Sequence, residues 1–226
     1  MAKNKLKHFA DMKTMDFVFE PDISTLKNGS FSLKGKWSTL FFNNQHPIII
    51  ELGCGKGEYT VELAKKYPHK NFIGIDIKGA RMWYGANEVR EKKLKNVAFV
   101  RLRIDFILEI FNPNEVDEIW LTFSDPQKEK PRKRLTSKLF MDRFKQILKP
   151  NGIIHLKTDS DILFEFTIKQ IEEHQYKCNN FTWNLYGNEY WDNLSDEQKE
   201  ILSIKTNYEQ IFSNKGHLIK YCQIKF

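Results

Sequence analysis

The sequence predicts an α/β fold: a largely parallel sheet with helices on both faces. Three observations lead there. Short apolar, β-branched runs recur along the chain, amphipathic helical stretches separate them, and the first run stops abruptly at a cluster of glycines. Strands that alternate with helices in this way build parallel crossover units.

Residues 1–46 are polar and irregular, with Lys3, Lys5, Lys7 and His8 at the front and a turn at Asn28-Gly29. They are expected to form a basic N-terminal arm laid over the main domain, residues 47–226; a partly disordered tail is the alternative for the first dozen. Ile48-Ile49-Ile50-Glu51-Leu52 reads as a buried strand. Glu58 to Tyr67 has helical periodicity and stops before Pro68. Asn71 to Asp76 is a second strand, Gly79 to Lys95 a helix with Met82, Val89 and Leu94 near one face, and Val97 to Arg101 a third strand. Val116 to Phe123 makes a fourth strand, Ser137 to Leu148 a helix, and Ile153 to Lys157 a fifth strand after the Lys149-Pro150-Asn151-Gly152 turn. A helix is expected over Asp159 to His174, then strands over Phe181 to Tyr186 and Leu218 to Phe226. Ser195-Asp196-Glu197-Gln198 between them is a capping-box signature, so a helix starts there. The last two strands have no long crossover helix and can pair antiparallel.

A chain of 226 residues with 18 Phe, 8 Tyr and 5 Trp can bury a substantial core. The formal charge of +7 is compatible with a polyanionic partner. Cys54, Cys178 and Cys222 are odd in number and widely spaced, which excludes a CxxC zinc site and a disulfide framework. No apolar run approaches bilayer length and no signal-peptide core stands behind the N-terminus. A soluble cytoplasmic protein is expected, without membrane or metal.

The strongest local signal is Glu51-Leu52-Gly53-Cys54-Gly55-Lys56-Gly57, at a strand end and opening a helix. A dinucleotide fingerprint would put a third glycine where Glu58 or Thr60 stands, and a phosphate-binding P-loop would need Ser or Thr where Gly57 stands. The spacing is GxGxG with an acid two residues ahead. A carboxylate there suits a cationic ligand better than a phosphate, and S-adenosylmethionine carries a sulfonium and an ammonium group. Asp76, ending the next strand, is placed to accept both hydroxyls of an adenosine ribose, or simply to cap a helix. Asp105, after the third strand, is placed to meet an adenine amino group or to cap the next turn. Glu58 reads as a first-turn helix acid, and Cys54 as a small loop residue with no base near it in sequence.

The fourth strand ends in Phe123-Ser124-Asp125-Pro126-Gln127, which puts Asp125 at the carboxyl edge of the sheet; Pro126 stiffens the loop. Lys128, Lys130, Arg132, Lys133 and Arg134 come directly after. Beside a pocket, such a run attracts phosphates; elsewhere it is an ordinary solvated face.

Five stretches in this order carry a resemblance: the Glu51–Gly57 loop, Gly74-Ile75-Asp76-Ile77-Lys78, Phe123-Ser124-Asp125-Pro126, Arg134-Leu135-Thr136 and Thr206-Asn207-Tyr208-Glu209. Together they are similar to the bacterial tRNA (guanine-N7)-methyltransferases, from about residue 36 to the C-terminus. The glycine loop alone indicates only the broad class I methyltransferases; the Ser-Asp-Pro loop with the late Thr-x-Tyr-Glu is far more specific. The resemblance implies a Rossmann-like, seven-stranded sheet with its last strand antiparallel, and methyl transfer from S-adenosylmethionine to N7 of a guanine in the tRNA variable loop, by a monomer or homodimer. It implies cofactor contacts for Glu51, Gly53, Gly55, Gly57, Asp76 and Asp105, an active-site role for Asp125, and substrate contacts for Lys128 or Lys130, Asp159, Thr206, Asn207, Tyr208 and Glu209. Three departures stand out. Gln127 replaces the usual Trp, the basic loop is shorter, and Asn207 stands where Lys is usual.

Guanine N7 is a hydrogen-bond acceptor whose lone pair needs no deprotonation. The expected task is therefore alignment, with Asp125 holding the guanine and favouring the charge that develops on it, and Asp159 and Glu209 accepting from its amino and imino groups. The rival readings are a methyltransferase of the same fold with another substrate, and a catalytically silent RNA-binding protein on that scaffold. The first would not need Thr206 to Glu209; the second would not need an intact Glu51, Asp76 and Asp125.

Overall fold

β2 (Ile48–Leu52) lies at the centre of the sheet, and all five of its residues are buried, so both faces of this strand are covered. The structure, a computed structural model, describes residues 2–226 and the side chains from Lys5 onward; Met1 and the Lys3 side chain lie outside the described residues. The other strands and α-helices in chain order are α1 (Ala2–Met12), β1 (Val18–Phe19), α2 (Ile23–Lys27), α3 (Glu58–Lys66), β3 (Asn71–Asp76), α4 (Gly79–Lys92), β4 (Val97–Arg101), β5 (Val116–Thr122), α5 (Lys138–Ile147), β6 (Leu148–Thr158), α6 (Asp161–Glu173), β7 (Lys177–Thr182), α7 (Asn188–Trp191), α8 (Asp196–Leu202), α9 (Asn207–Asn214) and β8 (Lys220–Lys225).

The sheet order is β1-β4-β3-β2-β5-β6-β8-β7. Pairings from β1 to β6 are parallel, whereas β8 runs antiparallel to both β6 and β7. The seven strands expected from the resemblance are all present. The eighth, β1, comes from the arm and pairs Val18 with Phe99 of β4; two residues inside a polar segment leave no periodicity to read. The expected strand over Phe181 to Tyr186 is corrected to Lys177–Thr182. Its Asn-rich, largely exposed sequence hides an edge strand, and a register shift between Asn179 and Thr182, with Asn180 at φ 50°, bends it. The expected capping box forms at α8: Ser195 accepts from the Gln198 amide and the Gln198 side chain reaches back.

Alternation along the strands separates two layers. Ile48, Ile50 and Leu52, with Ile73, Ile75, Ile119, Leu121, Ile154 and Leu156, face an apolar core closed by α5, α6 and arm residues Leu26, Phe31, Trp37 and Phe42. The opposite face carries Ile49, Phe72, Phe99 and Trp120 under α3 and α4, joined by Met12 and Met15 of the arm. The arm thus covers both faces. The Trp37 indole donates to the Ile110 carbonyl at 2.9 Å, and the Arg90 guanidinium holds Asp11 of α1 at 2.8 Å. On this second face the strand ends carry polar groups: Glu51 on β2, Thr122 on β5 and Lys157 on β6.

Candidate active site

Strand order reverses between β2 and β5, so their carboxyl ends flank the crevice where open α/β sheets bind ligands. From β2 the chain enters the glycine loop, where Gly53, Gly55 and Gly57 all have positive φ (80°, 58° and 77°), a conformation costly to any side chain. Their roles differ. A Cβ on Gly57 would lie 2.7 Å from the Phe99 ring, so this glycine serves close packing of the loop on β4. Cβ atoms on Gly53 or Gly55 would meet nothing within 4 Å, so bare backbone borders open space there. The loop is pinned from beneath, its Gly53 and Cys54 amides donating to the Ile75 carbonyl at 2.7 and 3.1 Å.

Glu51 sits under that loop and is almost wholly buried. It accepts from the Thr60 amide at 3.0 Å and from the Thr60 and Thr122 hydroxyls. Burial dominates and pushes its pKa up to about 7, against those three hydrogen bonds; nearby Asp76 adds to the rise. A buried acid in this condition is set to welcome a cation. Asp76 accepts from the Gly55 amide at 2.9 Å and the Lys78 amide at 2.7 Å, which orients its carboxylate beside the loop. The Cys54 thiol is buried and its pKa raised, which fits a loop residue rather than a nucleophile. Asp105 lies in a 3-10 turn after β4, exposed, and pairs with Arg103 at 3.2 Å.

At the end of β5 the backbone kinks. Phe123 and Gln127 both have positive φ (50° and 43°), unusual for large side chains. Between them Asp125 is exposed, with one carboxylate oxygen accepting from the Gln127 amide at 2.9 Å. Ser124 is buried, and its hydroxyl has no partner among the described residues. Lys128, Lys130, Arg132 and Lys133 are exposed. Arg134, expected among the phosphate-attracting cations, is not available to them. It is buried, donates to the Pro126 carbonyl at 2.7 Å, and lies 4.6 Å over the Phe166 ring. It shapes the loop because carbonyls turned inward by the kink need a donor.

Asp159 is half-buried just beyond β6, its carbonyl held by Lys220 at 2.8 Å. Thr206 caps α9 by accepting from the Glu209 amide at 3.2 Å. The Asn207 amide donates to Glu58 at 2.8 Å, and the Arg81 guanidinium donates to the Tyr208 hydroxyl at 2.6 Å. Glu209 is fully buried: it pairs with Lys157 at 2.8 Å and accepts from the Tyr186 hydroxyl. Burial lowers the Lys157 pKa to about 8, against the opposing pull of Glu209.

The structure therefore brings Glu51, Gly53, Gly55 and Asp76 together under one loop, and it ties Thr206–Tyr208 to the start of α3 and to α4. Asp105 follows three residues after Leu102, whose amide donates to the Asp76 carbonyl at 3.0 Å, and is paired with Arg103 at 3.2 Å and Arg143 at 3.9 Å. Sequence reasoning missed Thr60, Thr122, Arg81 and Lys157 and took Glu58 for a plain first-turn acid. Their partners lie far away in the chain, so no local pattern marks them. Among the described residues, no group of His, Cys, Asp and Glu is arranged to hold a metal, and no helix is long and apolar enough to cross a membrane.

Solved structures share this architecture. The 16S rRNA methyltransferase KamB matches with a TM-score of 0.61 at 11% identity, over 84% of this chain and 92% of its own. A structure described as an antibiotic-related methyltransferase matches with a TM-score of 0.55 at 15% identity, over 82% and 90%. At such identities the likeness establishes the fold, that of a class I methyltransferase. Residues 45–222 match a family described as "putative methyltransferase". Curated tRNA (guanine-N(7)-)-methyltransferases are much nearer in sequence. That of Bacteroides thetaiotaomicron is 53% identical over 100% of this chain and 86% of its own. That of Christiangramia forsetii is 46% identical over 99% and 98%, and one from Streptococcus pneumoniae 36% identical over 85% and 87%. The chain belongs to the tRNA (guanine-N7)-methyltransferase family.

Proposed function

We propose that this enzyme transfers a methyl group from S-adenosylmethionine to N7 of the variable-loop guanine of tRNA, with residues 47–226 as the transferase domain and 1–46 as a basic arm. The observation that carries the reading is the switch-point crevice. A buried acid of raised pKa and the bare backbone of Gly53 and Gly55 stand at one strand end, and exposed Asp125 at the next.

The residues present fit the cofactor. Glu51 offers a cation partner, the Gly53 and Gly55 backbone permits close approach, Gly57 keeps the loop down, and Asp76 has acceptor capacity left for ribose hydroxyls. Asp105 would serve the adenine with the carboxylate that Arg103 and Arg143 now hold. When bound, S-adenosylmethionine supplies a methyl group already activated on a sulfonium.

The protein's own work is then positioning and electrostatics. Asp125, oriented by the Gln127 amide, holds the guanine and favours the positive charge developing on its ring. Asp159 accepts from the base edge, and Thr206, Asn207, Tyr208 and Glu209 form the segment that closes the substrate side. Lys128 and Lys130 meet phosphates. The reading suits a monomer or a homodimer, and a tRNA substrate is consistent with a cytoplasmic enzyme.

The test is incubation with unmodified tRNA and labelled cofactor, then chain cleavage at 7-methylguanine. Label at a single variable-loop guanine is expected; label on another base, or none from a folded sample that binds the cofactor, defeats the proposal.

A further inference from the structure

Thr206-x-x-Glu209 has the spacing of a reciprocal capping box, in which Glu209 would turn back to the Thr206 amide. Only half of that box forms. Thr206 caps the Glu209 amide, but the Glu209 carboxylate turns inward to Lys157. The Lys157 ammonium donates to two carbonyls on one stretch of chain, Leu202 at 2.7 Å and Ile204 at 3.0 Å, and forms an ion pair at 2.8 Å with a Glu209 oxygen that has no hydrogen-bond partner among the described residues. The second Glu209 oxygen takes the Tyr186 hydroxyl, and the Tyr59 and Tyr186 rings lie 5.8 and 5.7 Å from the ammonium. Neither charged side chain has any exposed surface.

Such a pair is costly to bury, and apolar residues of similar volume often stabilise a fold as well or better. What the pair supplies is direction. Lys157 is paired with Thr122 of β5, whose hydroxyl bonds Glu51, and stands two residues before Asp159. Its two hydrogen bonds and the ion pair hold the irregular link between α8 and α9 against the carboxyl edge of the sheet. The same link then offers the Asn207 amide to Glu58, in the helix just after the glycine loop, and the Tyr208 hydroxyl to Arg81.

We propose that Lys157 is a positioning residue for methyl transfer: it fixes residues 202–209 so that Thr206, Asn207 and Tyr208 close the substrate side of the crevice, and Glu209 acts by holding Lys157 rather than by touching the guanine. This rests on the function proposed above and refines the part played by its last segment.

The decisive variant is the double substitution Lys157→Met with Glu209→Met, which removes both charges and keeps the volume. It is expected to stay folded, melting somewhat below wild type because the Ile204 carbonyl loses its donor, and to bind S-adenosylmethionine within about threefold of wild type by calorimetry, since the glycine loop is untouched. Its kcat/KM for tRNA is expected to fall by about ten- to a hundredfold, as misplacement of a positioning segment does. Amide hydrogen exchange at residues 205–209 should quicken while the strands stay protected. A folded double variant with wild-type kcat/KM and unchanged exchange overturns the proposal. If the double variant does not fold, Glu209→Gln decides. It keeps an acceptor for Lys157 without the charge, so an intermediate loss of kcat/KM with unchanged cofactor affinity supports positioning, and full activity overturns it. Wild-type protein that leaves N7 unmethylated would defeat the function reading alone, because the exchange measurement still reports whether the pair holds the segment.

Discussion

The cofactor contact proposed for Glu51 predicts a pH dependence of cofactor affinity that can be worked out beforehand. Burial raises its pKa from 4.5 to about 7 in the cofactor-free protein. A folded-state value above the unfolded one means that the neutral acid favours the fold. That contribution is complete below about pH 4.5 and is lost as pH rises through about 7. At about 1.4 kcal/mol per unit, it amounts to about 3 kcal/mol. A cation lodged beside the carboxylate reverses the preference, so binding requires the ionised form. With a pKa of about 7, about a tenth of the molecules are ionised at pH 6 and about nine-tenths at pH 8, and the apparent affinity scales with that fraction. S-adenosylmethionine should therefore bind about tenfold more weakly at pH 6 than at pH 8, a difference of about 1.4 kcal/mol. Calorimetry on wild type and Glu51→Gln isolates this term, because any titration of the cofactor's own amino group is common to both. The variant should bind more weakly overall and lack the tenfold dependence. Equal pH dependence in the two proteins would refute the reasoning, as Glu51 would then not be the group that ionises on binding.

Replacing Asp125 by Asn or Ala should lower the single-turnover rate of tRNA methylation by about a hundredfold or more with cofactor affinity unchanged; near-normal rates would remove it from the chemistry. Gly57→Ala should destabilise the protein by about 1–3 kcal/mol in thermal denaturation, from the contact with Phe99 and the positive φ together. Gly55→Ala, facing open space, should cost only about 1 kcal/mol in stability yet abolish cofactor binding; the reverse ranking would mean that the open side is not the ligand side. Lys128→Ala and Lys130→Ala should each weaken tRNA binding and shallow its salt dependence by about one unit of slope, measured by filter binding from low to moderate salt. Arg134→Met should raise the KM for tRNA through a loosened 126–134 loop and leave the salt slope unchanged, since Arg134 is spent on the Pro126 carbonyl rather than on phosphate.

The place and backbone of the glycine loop were legible because their determinants are local. A strand, three glycines and a flanking acid are contiguous, and backbone needs alone force glycine at positive φ, so the Glu51–Gly57 loop could be read without a fold. The positions of Asp76 and Asp125 were legible by the same logic, one ending a predicted strand and the other two residues past one, both at the carboxyl edge of the sheet. The edge strands were harder. β7 is polar and largely exposed, and β1 is two residues long, so neither carries the apolar alternation that marks a central strand.

By itself the sequence determined the alternation of strands and helices, the glycine loop and the acids at the strand ends, because each arises from periodicity or from backbone geometry within a few residues. Only the tertiary structure decided which groups those acids meet. Glu51 finds Thr122, Glu209 finds Lys157 rather than its own helix cap, and Arg134 turns from an apparent surface cation into an internal clamp. Those outcomes depend on what burial leaves unpaired. A charge or carbonyl cut off from water takes whatever partner the packing brings near, and that partner is set by the fold and not by distance along the chain.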